Sequence, residues 1–324
     1  MAQLVTVFGG SGFIGRTLVK RLAKTGAVIR VPVRNPELAK VLKPMGDVGQ
    51  ITPMRLDIGS APAVAEAVAG ADAVVNLIGI LYESRGSRFD QVQGEAPGRF
   101  AAAAAHAGVP RFVHVSALGA DAASPSGYAR SKAAGEAAVR AAYPKAVIFR
   151  PSIVFGPEDD FFNRFAGLAQ FLPALPLIGG GHTKFQPVYV GDDADAIMAA
   201  LADPATDGKT YELGGPQVYS FAELMRLMLD QIQRHRLLVP IPFGLAGLEA
   251  AFLELVPALS LGLIEAPMLT RDQVKLLKRD TVVSPGALTL RDLGIAPTAL
   301  AAILPTYLDR FRPGGRFARP SPAR

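Results

Sequence analysis

Residues 4–25 read LVTVFGGSGFIGRTLVKRLAKT and contain the clearest fold signal in this chain. Its first five residues form an apolar run typical of a strand, and its last twelve carry apolar side chains at helical spacing. Between them, Gly9, Gly12 and Gly15 give the pattern G-x-x-G-x-x-G. The first glycine allows a tight turn, the second lets backbone N–H groups approach a pyrophosphate, and the third lets the helix pack closely on the strand. The stretch therefore predicts a dinucleotide-binding strand–turn–helix.

The same alternation of short apolar strands and helical segments continues through the N-terminal half. Strands are predicted at residues 4–8, 28–33, 52–56, 73–78, 111–116 and 146–150, and helices at 14–25, 61–69, 96–107 and 128–142. Strands that alternate with helices indicate a parallel sheet covered on both faces, and right-handed crossovers make that sheet doubly wound. We therefore expect an α/β protein with a Rossmann doubly wound parallel sheet and a smaller C-terminal α/β lobe.

Beyond residue 151 the pattern becomes less regular. The sequence predicts a loop at residues 173–181, a strand at 185–190, and helices at 161–172, 192–203 and 223–233. Ser220 is expected to cap the last helix, with Glu223 completing a capping box. The predicted domains are a dinucleotide-binding Rossmann domain at 1–150, a smaller lobe with a docking segment and some return to the sheet at 151–312, and a disordered tail at 313–324.

Composition excludes several kinds of site and segment. The 324 residues include no cysteine, which removes disulfides, thiolate catalysis and zinc–sulfur sites, and the four histidines show no metal-ligand spacing. No uncharged apolar run reaches the ~20 residues that are needed to cross a bilayer. A strand pattern begins within the first few residues, so we expect no signal or transit peptide.

The formal net charge of +6 comes from the C-terminal part of the chain, because residues 271–324 carry ten basic and four acidic side chains. A basic tail on a neutral body predicts an anionic partner, such as a membrane surface, an acidic protein face or nucleic acid. Nucleic acid is the least favoured of these, because few aromatic side chains are interleaved with the basic ones. The alternative is a solvated tail that serves solubility.

The end of the second predicted strand indicates which dinucleotide binds. In NAD-binding modules an Asp or Glu about 20 residues after the glycine loop accepts the ribose 2′-hydroxyl. Here that position holds Arg34 and no carboxylate. A guanidinium pairs with a 2′-phosphate, whereas a carboxylate would repel it, so the sequence favours NADPH (NADP) over NADH. The alternative is that Arg34 pairs with a surface carboxylate such as Glu37.

Further cofactor contacts are expected where other strands end. Asp57 follows the third strand, where a side chain can reach the adenine, and residues 77–79 follow the fourth strand beside the expected cleft. The full set of predicted cofactor-binding residues is Gly9, Ser11, Gly12, Phe13, Ile14, Gly15, Arg34, Asp57, Leu77, Ile78, Gly79, Ser116, Tyr128, Lys132, Pro151 and Ile153.

Three polar residues form a candidate catalytic set. Tyr128 and Lys132 lie four residues apart on a predicted helix and so share one side of it, and Ser116 ends the fifth strand. An ammonium nearby lowers the pKa of a phenol from its usual value of about 10. Tyr128 is then expected to protonate a carbonyl as hydride arrives, while Ser116 orients that carbonyl. The alternative is an exposed helix pair, because Tyr-x-x-x-Lys is common by chance.

Together these features resemble the extended short-chain dehydrogenase/reductase superfamily, from Leu4 to about Leu213. The segments TVFGGSGFIGR, VVNLIGIL, FVHVSALGA, YARSKAAGE, RPSIVFGPEDDFFNRF and FQPVYVGDDADAI resemble more narrowly the subunit-nine-like accessory proteins of respiratory complex I, of the alphaproteobacterial type. That resemblance implies NADPH held as a structural element on the peripheral arm near the quinone site, contacts with other complex I subunits, and no known turnover. The Ser–Tyr–Lys set would then line the nicotinamide site as a remnant.

Residues 237–270 have two interpretations. They carry only three charged side chains, all acidic, and four prolines, and the large apolar residues at helical spacing are Leu245, Leu248, Phe252 and Leu255. The segment is either the core of a substrate lobe or a docking surface for a membrane or an apolar partner subunit, followed by a basic tail that meets anionic headgroups. The resemblance favours docking, on the cytoplasmic side of a bacterial inner membrane.

Three functions follow in order of preference. The first is a non-catalytic, NADPH-binding accessory subunit of complex I. The second is an active NADP-dependent reductase, dehydrogenase or epimerase that acts on a small carbonyl, sugar-nucleotide or isoprenoid, because the chain retains Ser116, Tyr128 and Lys132. The third is an NADPH-sensing regulator that binds partners without chemistry.

Overall fold

The computed structural model describes residues 3–84, 86–254 and 269–315, apart from the side chain of Phe252. The strands, in chain order, are β1 (Leu4–Phe8), β2 (Val28–Val33), β3 (Ile51–Arg55), β4 (Ala73–Asn76), β5 (Arg111–Val115), β6 (Val147–Pro151), β7 (Val154–Phe155), β8 (Ala174–Ile178), β9 (Lys184–Phe185), β10 (Val188–Tyr189), β11 (Thr210–Leu213), β12 (Tyr219–Ser220) and β13 (Leu237–Ile241). The helices are α1 (Phe13–Lys24), α2 (Ala61–Val68), α3 (Ala96–His106), α4 (Gly127–Ala142), α5 (Phe162–Phe171), α6 (Val190–Ala202), α7 (Phe221–Gln231), α8 (Phe243–Leu253), α9 (Arg271–Leu276), α10 (Leu300–Ile303) and α11 (Pro305–Leu308).

By internal contacts the chain divides into two compact units. The first comprises Met1–Pro151, Val190–Leu213 and Val283–Ala296. The second comprises Ser152–Tyr189, Gly214–Val282 and Pro297–Arg324. The chain therefore returns to the first unit after residue 189, and β11 and α6 belong to it.

A seven-stranded parallel sheet lies in the first unit, in the order β3-β2-β1-β4-β5-β6-β11. All four residues of β4 are buried, as expected for a strand with neighbours on both edges and helices on both faces. The strand order reverses at β1, which pairs with β2 on one side and with β4 on the other. In open α/β sheets ligands bind in the crevice at such a switch point, beyond the carboxyl ends of the strands.

The helices of the first unit cover this sheet in two groups. Helices α2, α3 and α4 pack side by side, and their apolar side chains share a core with Phe8, Val74 and Phe112 of the sheet. Helix α1 packs on α6, and Arg21 pairs with Asp195 at 2.7 Å across that contact. The predicted α/β fold with a doubly wound parallel sheet is confirmed.

The second unit has its own core, built from α5, α7 and the C-terminal helical segments. Phe155, Phe162, Phe221, Met225 and Tyr307 are among its buried side chains. Helix α7 begins with the predicted cap: Ser220 accepts from the Glu223 backbone N–H, and the Glu223 carboxylate accepts from the Ser220 backbone N–H at 2.6 Å. The capping-box prediction is confirmed.

The predicted loop at 173–181 is wrong. Residues Ala174–Ile178 form β8, which pairs in parallel with β13, and a 3₁₀ turn follows at Gly179–Gly181. Prolines and glycines suggested a loop, yet Leu175 and Leu177 are buried, and Pro176 is tolerated because this sheet has only two strands. The predicted strand at 185–190 is instead two short strands, β9 and β10, and α6 begins at residue 190.

The predicted docking segment is only partly described. Helix α8 buries Ala246 and Ala250 and exposes Leu245 and Leu248, so these two leucines are not core residues. Leu255, the side chain of Phe252 and residues 316–324 of the predicted disordered tail lie outside the described residues. In the part of the chain that the structure describes, no helix is both long enough and apolar enough to span a membrane.

Candidate cofactor site

The glycine loop between β1 and α1 has the close approaches that its sequence predicts. Gly9 has φ +78°, and a β-carbon there would lie 3.0 Å from the backbone nitrogen of Ile78. A β-carbon on Gly15 would overlap the Gly9 carbonyl oxygen and lie 2.6 Å from the Gly10 Cα. The loop that follows β1 is therefore seated against the loop that follows β4, and only glycine fits at these two positions.

The N-terminus of α1 is arranged for an anion. Gly12 is the N-cap and supplies no capping side chain, and the first turn carries no acidic residue. The first-turn N–H groups of a helix have no intrahelical acceptors, and the helix dipole adds partial positive charge there. Arg16 Nε donates to the Ser11 carbonyl at 2.9 Å and so holds the loop in place. Phe13 and Ile14 begin the helix at this point.

Arg34 lies directly after β2 and is exposed. Its NH1 donates to Ser87 Oγ at 3.5 Å. Glu37 instead pairs with Lys40 at 2.5 Å, so the alternative pairing of Arg34 with Glu37 is not found among the described residues. Glu37 therefore does not neutralise the charge of Arg34.

The loops after β3 and β4 contain the other residues expected near the cofactor. Asp57 is exposed, and its Oδ1 accepts from the Gly59 backbone N–H at 2.9 Å. After β4, Asn76 Oδ1 accepts from the Ile78 N–H at 3.0 Å, which fixes the path of residues 77–79. A β-carbon on Gly79 would lie 3.2 Å from Lys132 Nζ, so this loop reaches the predicted Ser–Tyr–Lys set.

Ser116 directly follows β5, and Lys132 lies within α4. Both side chains are buried. Ser116 is 4% exposed, and its Oγ has no hydrogen-bond partner among the described residues. Lys132 Nζ donates to the Val115 carbonyl at 3.4 Å and lies 5.9 Å from the centre of the Tyr128 ring. A buried hydroxyl without a partner is the kind of polar group that a bound ligand satisfies.

The pKa values in this set differ from the sequence-based expectation. Burial raises the pKa of Tyr128 to about 12 and lowers the pKa of Lys132 to about 8. We expected the ammonium to lower the phenol pKa, but the cost of burying the phenolate raises it instead. Glu136, one turn after Lys132, raises the Lys132 pKa and so opposes part of the burial effect. Glu136 is itself held by Arg150, at 2.9 and 2.6 Å.

A buried polar network behind this set was not predicted. Asn76 Nδ2 lies 3.1 Å from His114 Nδ1, and Gln93 Nε2 donates to Ser131 Oγ at 3.1 Å. Gln93 sits in a π-helical segment, Asp90–Glu95, of a kind often found at functional sites. Burial, with Lys132 nearby, lowers the pKa of His114 to about 3, so this histidine is neutral. The sequence contains one signal for these buried contacts, which is a polar residue within each of the apolar strand segments AVVN and RFVHV.

The last two predicted cofactor residues fall in different units. Pro151 ends β6 in the first unit, where its carbonyl accepts from the Leu118 N–H at 2.9 Å. Ile153 belongs to the second unit, where its carbonyl accepts from the Val188 N–H at 2.9 Å. The first unit alone therefore brings together the glycine loop, residues 77–79 and the Ser–Tyr–Lys set. These residues fit a dinucleotide: they offer a close backbone approach, a helix N-terminus and a buried hydroxyl without a partner.

Comparison with known proteins shows the family and the fold of the chain. The sequence profile of the NAD dependent epimerase/dehydratase family matches residues 5–214, which include the glycine loop and the Ser–Tyr–Lys set. Among solved structures, the dTDP-glucose 4,6-dehydratase DesIV of Streptomyces venezuelae, with NAD and TYD bound, is similar with a TM-score of 0.71. The two are 21% identical over 94% of this chain and 96% of that chain, a likeness that shows the fold alone.

Curated relatives are more similar in sequence. The chain is 42% identical over 316 residues to the mitochondrial NADH dehydrogenase (ubiquinone) 1 alpha subcomplex subunit 9 of Arabidopsis thaliana, covering 96% of this chain and 79% of that protein. It is 37% identical to the Mus musculus protein of the same name, covering 92% and 77%. A ceramide reductase of Caulobacter vibrioides is 32% identical, covering 69% and 68%. The chain therefore belongs to the NAD dependent epimerase/dehydratase family and, within it, is a relative of the alpha subcomplex subunit 9 proteins.

Proposed function

We propose that this chain is an NADPH-binding accessory subunit of respiratory complex I, with a structural or assembly role on the peripheral arm near the membrane. The observation that carries the proposal is the similarity, over 96% of the chain, to a protein named as a subunit of NADH dehydrogenase. Its partners are then other complex I subunits and an anionic membrane surface. Its location is peripheral, on the cytoplasmic side of a bacterial inner membrane.

Different residues of the first unit bind different parts of the cofactor. The glycine loop and the N-terminus of α1 hold the pyrophosphate through backbone N–H groups. Arg34 pairs with the 2′-phosphate, which is why the proposal names NADPH, and Asp57 faces the adenosine end. Ser116, Tyr128 and Lys132 line the nicotinamide ribose. When bound, the dinucleotide supplies a nicotinamide that can carry hydride.

The electrostatics of the Ser–Tyr–Lys set favour a structural role for the cofactor. A general acid or base works best when its pKa lies near the operating pH. Burial holds the pKa of Tyr128 at about 12, so the phenol keeps its proton at neutral pH and is poorly suited to exchange it. Lys132, with a pKa near 8, remains a hydrogen-bond donor to a ribose hydroxyl. The set is thus suited to holding the cofactor.

Native gel electrophoresis of solubilised membranes tests the assignment. The chain is expected to migrate with the NADH dehydrogenase activity band and to be absent from that band in a deletion strain. A chain that migrates only as a free protein, in membranes where the activity band is intact, contradicts the assignment.

A second candidate function is an active NADP-dependent reductase, dehydrogenase or epimerase on a small carbonyl or sugar-nucleotide substrate. Two observations favour it: the Ser–Tyr–Lys set is intact, and a relative at 32% identity is named a ceramide reductase. In this case Tyr128 is the proton donor to the carbonyl.

The exchange Tyr128→Phe separates the two functions. It removes one hydroxyl from a half-buried ring that packs edge-on against Phe89, so the ring packing is kept. A structural subunit with this exchange retains NADPH and supports normal complex I assembly and activity. An enzyme with this exchange retains NADPH but loses its own turnover, and a growth defect with normal complex I would favour the second function.

A further inference from the structure

The second unit contains a cavity of about 320 Å³ with an excess of positive charge. Its lining residues include Arg226, Arg234 and Arg236, together with His235 and one acidic residue, Asp230. None of the three arginines forms a salt bridge within residues 3–84, 86–254 and 269–315. Three arginines and one aspartate line the cavity, so it suits an anionic ligand.

The local backbone geometry fixes the positions of Arg234 and Arg236. Helix α7 ends at Gln231, and Gln233 adopts the left-handed region with φ +53°. The Arg234 N–H donates to the Leu229 carbonyl and the Gln233 N–H to the Asp230 carbonyl, both at 3.1 Å, which closes the helix end. The chain then turns directly into β13, so Arg234 and Arg236 stand between a capped helix and a paired strand.

Backbone carbonyls hold two of the arginines without neutralising them. Arg234 Nε donates to the Phe311 carbonyl at 2.9 Å, and Arg236 Nε donates to the Ala169 carbonyl at 2.8 Å. Arg236 NH1 also donates to the His235 carbonyl at 2.9 Å. A carbonyl acceptor orients a guanidinium but leaves its full charge, so these side chains are ordered before any ligand arrives.

Large apolar side chains stand exposed beside the same arginines. Phe171 is 86% exposed and lies two residues after Ala169, the acceptor for Arg236. Leu237 is 72% exposed and follows Arg236, and its N–H donates to the Pro173 carbonyl at 3.1 Å. That bond brings Leu237 next to the end of α5, where Leu172 is 41% exposed. Ordered cations bordered by exposed apolar side chains match a headgroup–acyl boundary, and Leu172 and Leu237 are aliphatic and so offer no ring on which a base could stack.

We propose that this basic–apolar surface, formed by Arg226, Arg234, Arg236, Phe171 and Leu237, docks on a bilayer that contains anionic phospholipid. A headgroup phosphate sits in the cavity between the guanidinium groups, and Phe171 and Leu237 insert at the acyl boundary. The occupant follows from charge complementarity and from the apolar border together. The proposal rests on the peripheral membrane location in the proposed function and gives that location its contact surface.

Co-sedimentation of the full chain with vesicles tests this surface. The vesicles are phosphatidylcholine alone, or phosphatidylcholine mixed with phosphatidylglycerol. We expect binding to the mixed vesicles only, weakening as salt is raised. Arg234→Gln with Arg236→Gln is expected to lower that binding roughly thirtyfold. The matched control, Arg130→Gln with Lys145→Gln, removes the same charge from exposed positions in the first unit and is expected to bind as the wild type does.

Two further variants keep the test independent of misfolding. Arg234→Lys with Arg236→Lys preserves the charge and is expected to restore most of the binding, and Phe171→Ser is expected to weaken it with the charges intact. The proposal is overturned if the chain binds neutral vesicles equally well or binds no vesicles. It is also overturned if the Arg234→Gln with Arg236→Gln variant binds as the wild type does. A double variant that binds vesicles normally but no longer migrates with detergent-solubilised complex I overturns it too, because the surface then docks on protein. If the chain binds no vesicles but still migrates with complex I, the docking surface is refuted and the complex I assignment stands.

Discussion

Gly135 of α4 packs so closely on the π-helical segment that a β-carbon there would overlap the carbonyl oxygen of Gln93. Gly135 lies three residues after Lys132, and Gln93 contacts both Ser131 and the backbone of Ile80. This close approach therefore sets the distance between the helix that carries the Tyr–Lys pair and the loop that follows β4. It is a structural reason for glycine in the segment YARSKAAGE, separate from cofactor chemistry.

Gly135→Ala is expected to push α4 away from Gln93 and to lower the free energy of unfolding by about 1–3 kcal/mol. Because Lys132 and Gly79 move with this contact, the affinity for the dinucleotide is expected to fall as well. Thermal unfolding with and without NADPH measures both effects. The control is Gly94→Ala, where the nearest neighbour of a new β-carbon lies 3.9 Å away. Equal melting temperatures for the two variants would show that the contact carries no stability.

Arg34→Ser is expected to weaken NADPH binding by roughly 10- to 100-fold and to change NADH binding little. The reason is that Arg34 is the cation at the end of β2 and is not paired with Glu37. Fluorescence titration of both nucleotides measures the ratio of the two affinities. Lys40→Ser, which removes a nearby exposed charge, serves as the control. A parallel loss for NADH and NADPH would mean that Arg34 does not read the 2′-phosphate.

Much of this site follows from the sequence because its signals are local. The bounds of β1 and β2 match the prediction, since each apolar run ends at a glycine or a charge. The glycine loop also carries its own geometric requirement. By contrast, β8 was missed because Pro176 and the glycines after it are loop formers, and only pairing with β13, far along the chain, makes this segment a strand.

The buried network depends on contacts that spacing alone does not reveal. Asn76 and His114 are 38 residues apart, as are Gln93 and Ser131, and strand pairing and helix packing bring each pair together. The pKa of Tyr128 was predicted in the wrong direction for the same reason. A sequence shows that Lys132 stands one helical turn away, but it does not show how much water burial removes from the phenol.

His114 is expected to make the protein less stable in mild acid. Its pKa is about 3 in the folded chain and 6.5 in the unfolded chain, so between these values the unfolded state binds the extra proton. The contribution of neutral His114 to the free energy of unfolding is fully present above pH 6.5. It falls as the pH falls, by about 2 kcal/mol at pH 5. His114→Gln removes this proton uptake, because a glutamine side chain does not titrate.

Denaturant unfolding at pH 7 and pH 5 measures the effect. The drop in unfolding free energy between the two pH values is expected to shrink by about 2 kcal/mol in His114→Gln. His106→Gln, at an exposed helix end, is expected to keep the drop of the wild type. If His114→Gln shows the same drop as the wild type, the neutral buried histidine is not its source.

We expect the first unit to hold NADPH permanently within complex I. The most direct measurement isolates the complex through an affinity tag on this chain, washes it free of exchangeable nucleotide, and quantifies the dinucleotide that acid or denaturant releases. We expect complex I subunits in the isolate and NADPH in an amount equimolar with this chain, and little NADPH after Arg34→Ser. An isolate without complex I subunits, or one that releases NADH or no dinucleotide, would contradict it.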